Sequence, residues 1–255
     1  MHNELKMQEK KNNLYIYGRQ PIIEALRSMH TVYKIWLAAG VSGSGIGPIK
    51  RLAEEQAVPI QTVGKNQLQK FVGPVVHQGV AAEVEALKFL NRPGFEGLLD
   101  TNSSPLILVL DQIQDPHNLG AVIRTAEICG VHCIAFAEKG MARLNATVVK
   151  TSAGAVFYQR FFQADDILWL IDKLNEKGLH TFALAPGSET LMYDAPLDES
   201  VALVIGSEGK GVRKNVQRQC GGKISIPQFG RVGSLNASVA AAVVLFETLR
   251  QRLKR

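Results

Sequence analysis

The sequence predicts an α/β protein built in two parts. Three observations carry this. Short apolar runs alternate with amphipathic patterns along the chain. One arrangement, an apolar run followed by a polar loop and a helical pattern, occurs three times after residue 105. A stretch rich in Pro, Gly, Asn and Ser separates the two parts. The 255 residues are 46% hydrophobic and 20% charged, too apolar for a disordered chain and too evenly mixed for a membrane protein.

The opening MHNELKMQEKKNN is charged, lacks the apolar core of a signal peptide, and reads as a flexible arm over residues 1–13. Residues 14–87 are expected to form a small α/β domain. In it, PIIEALRS opens on Pro21 and sets Ile22, Ile23 and Leu26 on one side, which predicts a short amphipathic helix. VYKIWLA from Val32 reads as a strand, GVSGSGIGP as a loop, IKRLAEEQA as a helix and VPIQTV as a strand, with a last strand from Gly79 to Val84. The composition then changes to NRPGFEGLLDTNSSP, which predicts a linker over 88–104.

Residues 105–255 carry the repeated theme. LILVL, Leu106 to Leu110, is continuous enough to be a strand buried on both faces, and it leads through DQIQDPHN into a helix from Asp115 and Pro116 that stops before Gly130. VALVI, Val201 to Ile205, leads through GSEGKG into a helix around Val212 to Gln219. KISIP leads through QFGRVGSLN into a long helix from about Asn236 to Leu253. That helix is apolar nearly all round from Ala237 to Phe246, so packing on two sides is expected. Parallel sheets present such loops together at the carboxyl ends of their strands, where ligands bind.

Lys plus Arg outnumber Asp plus Glu 29 to 23, a net charge of +6, which favours polyanionic partners. The excess is spread evenly: 12 basic against 9 acidic residues up to Ser104, and 17 against 14 beyond it. Three cysteines, Cys129, Cys133 and Cys220, cannot all pair within the chain, which fits a reducing, cytoplasmic setting. The longest apolar run, Val239 to Phe246, is far too short to span a bilayer. GSEGKG matches neither a phosphate loop nor the Gly-x-Gly-x-x-Gly dinucleotide fingerprint, which disfavours ATP and NAD. Cys129, His132 and Cys133 lack the spacing of a standard zinc finger and no second ligand pair follows, so the cysteines read as buried thiols and no metal is expected.

The three loops gather Asn118, Arg124, Glu208, Ser234, Asn236 and Ser238, with glycines at 206, 209, 211, 230 and 233. Each has an ordinary structural reading. Arg124 suits a solvated helix face, Glu208 the positive end of a helix, and Ser234 and Asn236 are N-cap types. Only their combination points to chemistry: a pocket with one fixed cation, one carboxylate, neutral hydrogen-bonding groups and much exposed backbone.

Taken together, LDQIQDPHNLGAVIRTAEICGV from Leu110, VALVIGSEGKGV from Val201 and ISIPQFGRVGSLNASVAAAVVLFE from Ile224 resemble the three signature motifs of the SpoU/TrmH family of RNA 2'-O-ribose methyltransferases, in the SPOUT superfamily. YGRQPIIEAL from Tyr17 and VGPVVHQGVAAEV around His77 are similar to the ribosomal-protein-like RNA-binding domain at the amino end of the subfamily that methylates a guanosine of 23S ribosomal RNA. The resemblance implies a carboxyl-terminal α/β domain tied in a deep trefoil knot that holds S-adenosylmethionine. It also implies a homodimer with each active site bordered by the other subunit.

Carried over residue by residue, the resemblance assigns cofactor backbone contacts to Gly206, Ile226 and Leu235, with Ile205, Pro227, Ser234 and Ala185 beside them. It gives the central catalytic role to Arg124. Asn118, Glu208, Ser234 and Asn236 then position the arginine, the ribose or the methionine end of the cofactor, with Glu208 as the expected acidic partner of Arg124. A guanidinium with a pKa above about 12 is a poor base but a good stabiliser of a developing alkoxide or a neighbouring phosphate. His117, beside Asn118, is expected to serve the loop rather than the chemistry. RNA is the implied partner, and DNA is excluded as substrate because it lacks the 2'-hydroxyl.

Overall fold

The computed structural model describes residues 13–254; the expected arm lies outside them except for Asn13, which opens the first strand. From there strand and helix alternate: β1 (Asn13–Tyr17), α1 (Arg19–Arg27), β2 (Val32–Ala38), α2 (Ile46–Glu55), β3 (Ile60–Val63), α3 (Lys65–Val72) and β4 (Val80–Glu85). The sheet order is β1-β4-β2-β3, with β4 antiparallel to both β1 and β2 and with β2 parallel to β3. Strand alternation puts Trp36, Ala38, Val63 and Ala81 on one face, where Leu68 of α3 closes the cluster. Helix α1 packs on β1 and β4 through its fully buried Ile22 and Leu26, an i,i+4 pair. Helix α3 is absent from the sequence reading because KNQLQKFV buries only Leu68 and so shows no apolar period.

The second unit is a six-stranded sheet in the order β10-β8-β9-β5-β6-β7, every neighbour parallel. Its strands are β5 (Leu106–Asp111), β6 (Cys133–Ala137), β7 (Phe161–Ala164), β8 (His180–Leu184), β9 (Val201–Gly206) and β10 (Gly222–Ile224). The central pair, β5 and β9, is buried at every residue, as continuous apolar runs require. Helices α4 (Arg92–Thr101), α7 (Ile167–Glu176) and α8 (Lys214–Gln219) contribute to the core on the side of Ile107 and Val109. Helices α5 (Pro116–Ile128) and α9 (Ala237–Arg252) pack against one another. The chain leaves β5 toward β6 and β7 and later fills β8, β9 and β10 on the other side, so the β5–β9 boundary is where the winding reverses. Register places Asp111, the last residue of β5, beside Gly206, the last of β9. Crevices at such reversals are where open α/β sheets bind ligands.

Two boundaries differ from the sequence reading. The stretch 88–104 is not a linker: it holds α4 and belongs to the second unit from Lys88 on. Its Pro and Gly are start signals. Asn91 accepts a hydrogen bond from the Gly94 N–H at 2.9 Å, proline stands in the first turn, and Phe95, Leu98 and Leu99 at i, i+3, i+4 face the core. Phe95 is fully buried and stacks on Phe162 with centroids 4.2 Å apart; truncating such a core Phe to Ala costs about 3–5 kcal/mol. Conversely, Leu144–Tyr158, inside the expected carboxyl-terminal domain, belongs to the first unit. There α6 (Ala146–Thr151) packs on β1, and the Tyr158 hydroxyl donates to Glu24 Oε2 at 2.7 Å.

Candidate active site

The loop after β9 is built on a crossing that only glycine allows. A Cβ on Gly206 would lie 2.0 Å from the carbonyl carbon of Gly211 and 2.1 Å from the nitrogen of Val212. The loop turns back at once: the Gly211 N–H donates to the Ser207 oxygen at 2.9 Å, with Gly209 and Gly211 at φ +80° and +63°. Its exit is pinned by Asp111, a carboxylate only 1% exposed, which accepts from the Arg213 N–H at 2.9 Å and from Arg213 Nε at 2.8 Å. The Cys220 thiol is held protonated, pushed up to about 12 by burial and then by the charge of Asp111. The loops after β8 and β10 are tied together at Ser225, whose hydroxyl donates to the Ser188 oxygen at 2.9 Å and whose backbone bridges to Leu191.

These loops enclose a cavity of about 350 Å³, lined by Leu184, Ile205, Ile226 and Leu235, the backbone-rich run Gly206–Ser207 and Gly209–Gly211, and Ser234 and Ala237. Lys210 supplies its charge, and no carboxylate is among its lining residues. A second, smaller cavity of about 140 Å³ shares Ser207 and Ala237 with it and adds Asp115, Asn118 and Glu208. Here three of the expected site side chains meet. Glu208 Oε2 accepts from Asn118 Nδ2 at 3.0 Å and from Asn236 Nδ2 at 3.3 Å, and Asn236 Nδ2 also donates to Asn118 Oδ1 at 3.0 Å. Asn236 Oδ1 meanwhile caps α9, accepting from the Ser238 and Val239 N–H groups. Asp115 does the same for α5, accepting from the His117 and Asn118 N–H groups. The helix starts therefore fix the two amides, and the amides fix the carboxylate. The arrangement presents an apolar slot with a polar backbone wall, and beside it a carboxylate held by two amides.

Residues 105–246 match the SpoU rRNA Methylase family, more than half of the chain. The chain belongs to that family. Residues 15–90 match the RNA 2'-O ribose methyltransferase substrate-binding family, which covers the first sheet. Among relatives of this SpoU chain, a Staphylococcus haemolyticus protein assigned to the TrmH family of tRNA/rRNA methyltransferases is 35% identical over 241 residues, 94% of this chain and 96% of its own. The Xanthomonas campestris 23S rRNA (guanosine-2'-O-)-methyltransferase RlmB is 34% identical over 245 residues, 95% of this chain and 98% of its own. In fold, the SpoU methyltransferase AviRb of Streptomyces viridochromogenes, solved with the cofactor AdoMet, has a TM-score of 0.80 at 20% identity, covering 96% of this chain and 93% of its own.

The SpoU motifs thus converge, with one member apart. Gly206, Ile226, Leu235, Ile205 and Ser234 line the larger cavity, whereas Ala185 and Pro227 stand next to lining residues Pro186 and Gln228. Asn118, Glu208 and Asn236 form the triangle. Arg124 is exposed on α5 and lines neither cavity; it falls six residues after Asn118, about 240° around the helix. The expected Glu208–Arg124 pairing is replaced within this chain by the two asparagines. His117 is exposed and lines neither cavity. The sequence reading missed Leu184, Pro186, Lys210 and Gln228 as lining residues. Lys210, the cation inside GSEGKG, was the one findable there. Asp111, a carboxylate ending an apolar strand, was equally visible as a buried charge needing a partner.

Proposed function

We propose that this chain transfers a methyl group from S-adenosylmethionine to the ribose 2'-hydroxyl of a guanosine in 23S ribosomal RNA, as a cytoplasmic homodimer. The observation that carries the reading is the pairing of an apolar, backbone-walled cavity with an adjoining carboxylate held by two amides. The larger cavity suits the cofactor. Ile205, Ile226 and Leu235 offer faces for a flat base, the Gly206–Gly211 backbone offers donors and acceptors, and Lys210 suits a carboxylate end. When bound, the cofactor supplies a methyl group activated on a sulfonium.

The smaller cavity is assigned to the ribose. Asn118 and Asn236 hold Glu208, and these groups with Ser234 orient the hydroxyl toward the shared wall at Ser207 and Ala237, so that attack starts from a fixed geometry. Arg124 stabilises negative charge developing on the ribose oxygen or carried by a flanking phosphate. Its exposed place outside its own chain's cavities supports a role at a partner's site. The dimer reading is further supported by Ile128, Val239, Phe246 and Leu253, apolar residues of α5 and α9 and their ends that are left exposed. A trefoil knot in the second unit belongs to the same proposal, supported by the Leu191–Ser225 bridge that binds two of the site loops.

Relatives assigned jointly to tRNA and rRNA give tRNA a specific claim as second substrate. Mapping 2'-O-methyl groups in 23S rRNA and tRNA from cells with and without this gene separates the two. Loss of one methylguanosine from 23S rRNA is expected; a loss confined to tRNA moves the assignment there, and no loss in either overturns the function.

A further inference from the structure

The first unit holds a basic concavity that nothing above uses. It is a groove of about 1130 Å³ lined by Arg19, Lys65, Lys150, His77, Gln78, two serines and backbone, with no Asp or Glu among its lining residues. The two amino-terminal segments singled out in the sequence, YGRQP and VVHQG, meet here. Their junction is Gln78, held at φ +57°, a conformation costly for a residue with a side chain. Its Oε1 accepts from Lys150 Nζ at 2.9 Å and from the Arg19 N–H at 3.1 Å, and its backbone oxygen accepts from Arg19 Nε at 3.3 Å. Arg19 reaches on to the carbonyl oxygens of Ser44 at 2.6 Å and Ser42 at 2.8 Å, so it braces the floor of the groove.

Lys150 is different. It comes from the stretch matched by the methylase family yet folds with the first unit. It lies over Gly18, at φ +94°, where a Cβ would come within 2.5 Å of Nζ and make the lysine tip shift. Its one hydrogen-bond acceptor is a neutral amide, it makes no ion pair among the described residues, and burial lowers its pKa. An ammonium so placed lacks an anion. Lys65 also lines the groove and is likewise unpaired among the described residues. The starts of three helices line the same groove, at Arg19, at Gly45 and at Lys65, without an acidic residue in any first turn.

We infer that this groove is a phosphate-docking site for the RNA backbone, in which Lys150 and Lys65 are the contacting cations and Arg19 and Gln78 the brace that sets them. The inference rests on the proposed RNA substrate and adds where the first unit grips it. Contacts of this kind carry affinity and register rather than sequence.

The test measures filter binding of protein-free 23S rRNA from cells lacking this gene to the full-length protein, from 50 to 200 mM salt. The variants are Lys150→Gln, Lys65→Gln, both together, Lys150→Arg, and Lys223→Gln on the second unit as control. Each single neutralisation is expected to weaken binding roughly fivefold and to flatten the salt dependence by about one unit of slope, with Lys150→Arg and Lys223→Gln near wild type. Calorimetric affinity for S-adenosylhomocysteine should stay unchanged throughout. Wild-type affinity and slope in the double variant overturn the groove while leaving the proposed function standing. If instead the wild-type protein binds S-adenosylhomocysteine but no RNA, the proposed function falls. Should Lys150→Gln fail to fold, Lys65→Gln and Lys150→Arg still decide. Pyrophosphate titrated into the wild type separates a small-anion site: saturable binding that the double variant loses, with RNA affinity intact, overturns the RNA assignment.

Discussion

The three helices between the strands of the first sheet begin differently from those of the second unit, whereas α6, also in the first unit, is capped like the latter, by Asn145 accepting from the Thr147 and Val148 N–H groups. Between residues 19 and 72 all three start on glycine, at Gly18, Gly45 and Gly64, which offer no side-chain cap; among the described residues a side chain, that of Gln78, accepts only from the first N–H of α1, at Arg19. In the second unit Asn91, Asp115, Asp166 and Asn236 each accept such a bond, and the exception, α8, begins at Arg213 under buried Asp111. Closed helix starts are structural: they turn their donors inward and leave ligand binding to strand-end loops. Open starts beside unpaired lysines leave donors for something outside the chain. Asn236 shows how the second unit economises, capping α9 with one atom of its amide and steadying Glu208 with the other.

The comparison can be broken hardest at the loop crossing. Gly206→Val places side-chain carbon inside the Gly211–Val212 backbone, so S-adenosylhomocysteine affinity should drop more than about 100-fold, because the donors and acceptors of that wall are displaced together. Near-normal calorimetric binding by a folded variant removes this wall from the cofactor site. Next is Arg124→Ala, expected to cut methyl transfer at least about 100-fold with cofactor affinity held within about twofold. Mixing it with the Gly206→Val chain sharpens the result. Random pairing of the two inactive chains should restore about a quarter of wild-type turnover if the arginine serves its partner's site, and none if it serves its own.

Smaller effects follow from the caps themselves. Asn236→Ala should lose about 1 kcal/mol of stability in urea titrations together with activity, whereas Asn118→Ala, which caps nothing, should lose activity with little change in midpoint. Equal losses of stability would mean that the triangle, not the cap, holds α9. Smallest is the reverse operation, closing an open start. Gly64 has extended dihedrals and free space around a new Cβ, so Gly64→Ser and Gly64→Asp should each gain a few tenths of a kcal/mol. Only the aspartate should also weaken RNA binding, because it sets a negative charge beside Lys65. Identical RNA affinities in the two variants would show that the start of α3 is remote from the bound backbone.

How much of this was legible in the sequence depended on whether a signal was local. The buried strands at Leu106 and Val201, the helix opening at Asp115 and Pro116, and the long helix from Asn236 are written in consecutive residues, and their bounds agree to within two residues of the structure. The loop residues Gly206, Ile226, Leu235 and Asn236 came with long motifs. What escaped was relational. Nothing near Phe95 reveals that it will stack on Phe162, so Pro and Gly beside it read as a linker. Lys150 looks like any helix lysine until Gly18 and Gln78 are brought to it. The angular offset of Arg124 from Asn118 was computable from helix geometry alone, yet the motif placed both in one site.

The return of Leu144–Tyr158 to the first unit bears on how such proteins can be recombined. A chimera that exchanges only residues up to Leu87 for those of a homologue would keep the old α6 and Lys150 against a foreign β1 and a foreign counterpart of Gly18. A transplant intended to redirect targeting must move two discontinuous pieces, and natural variation in the one is expected to be matched by variation in the other.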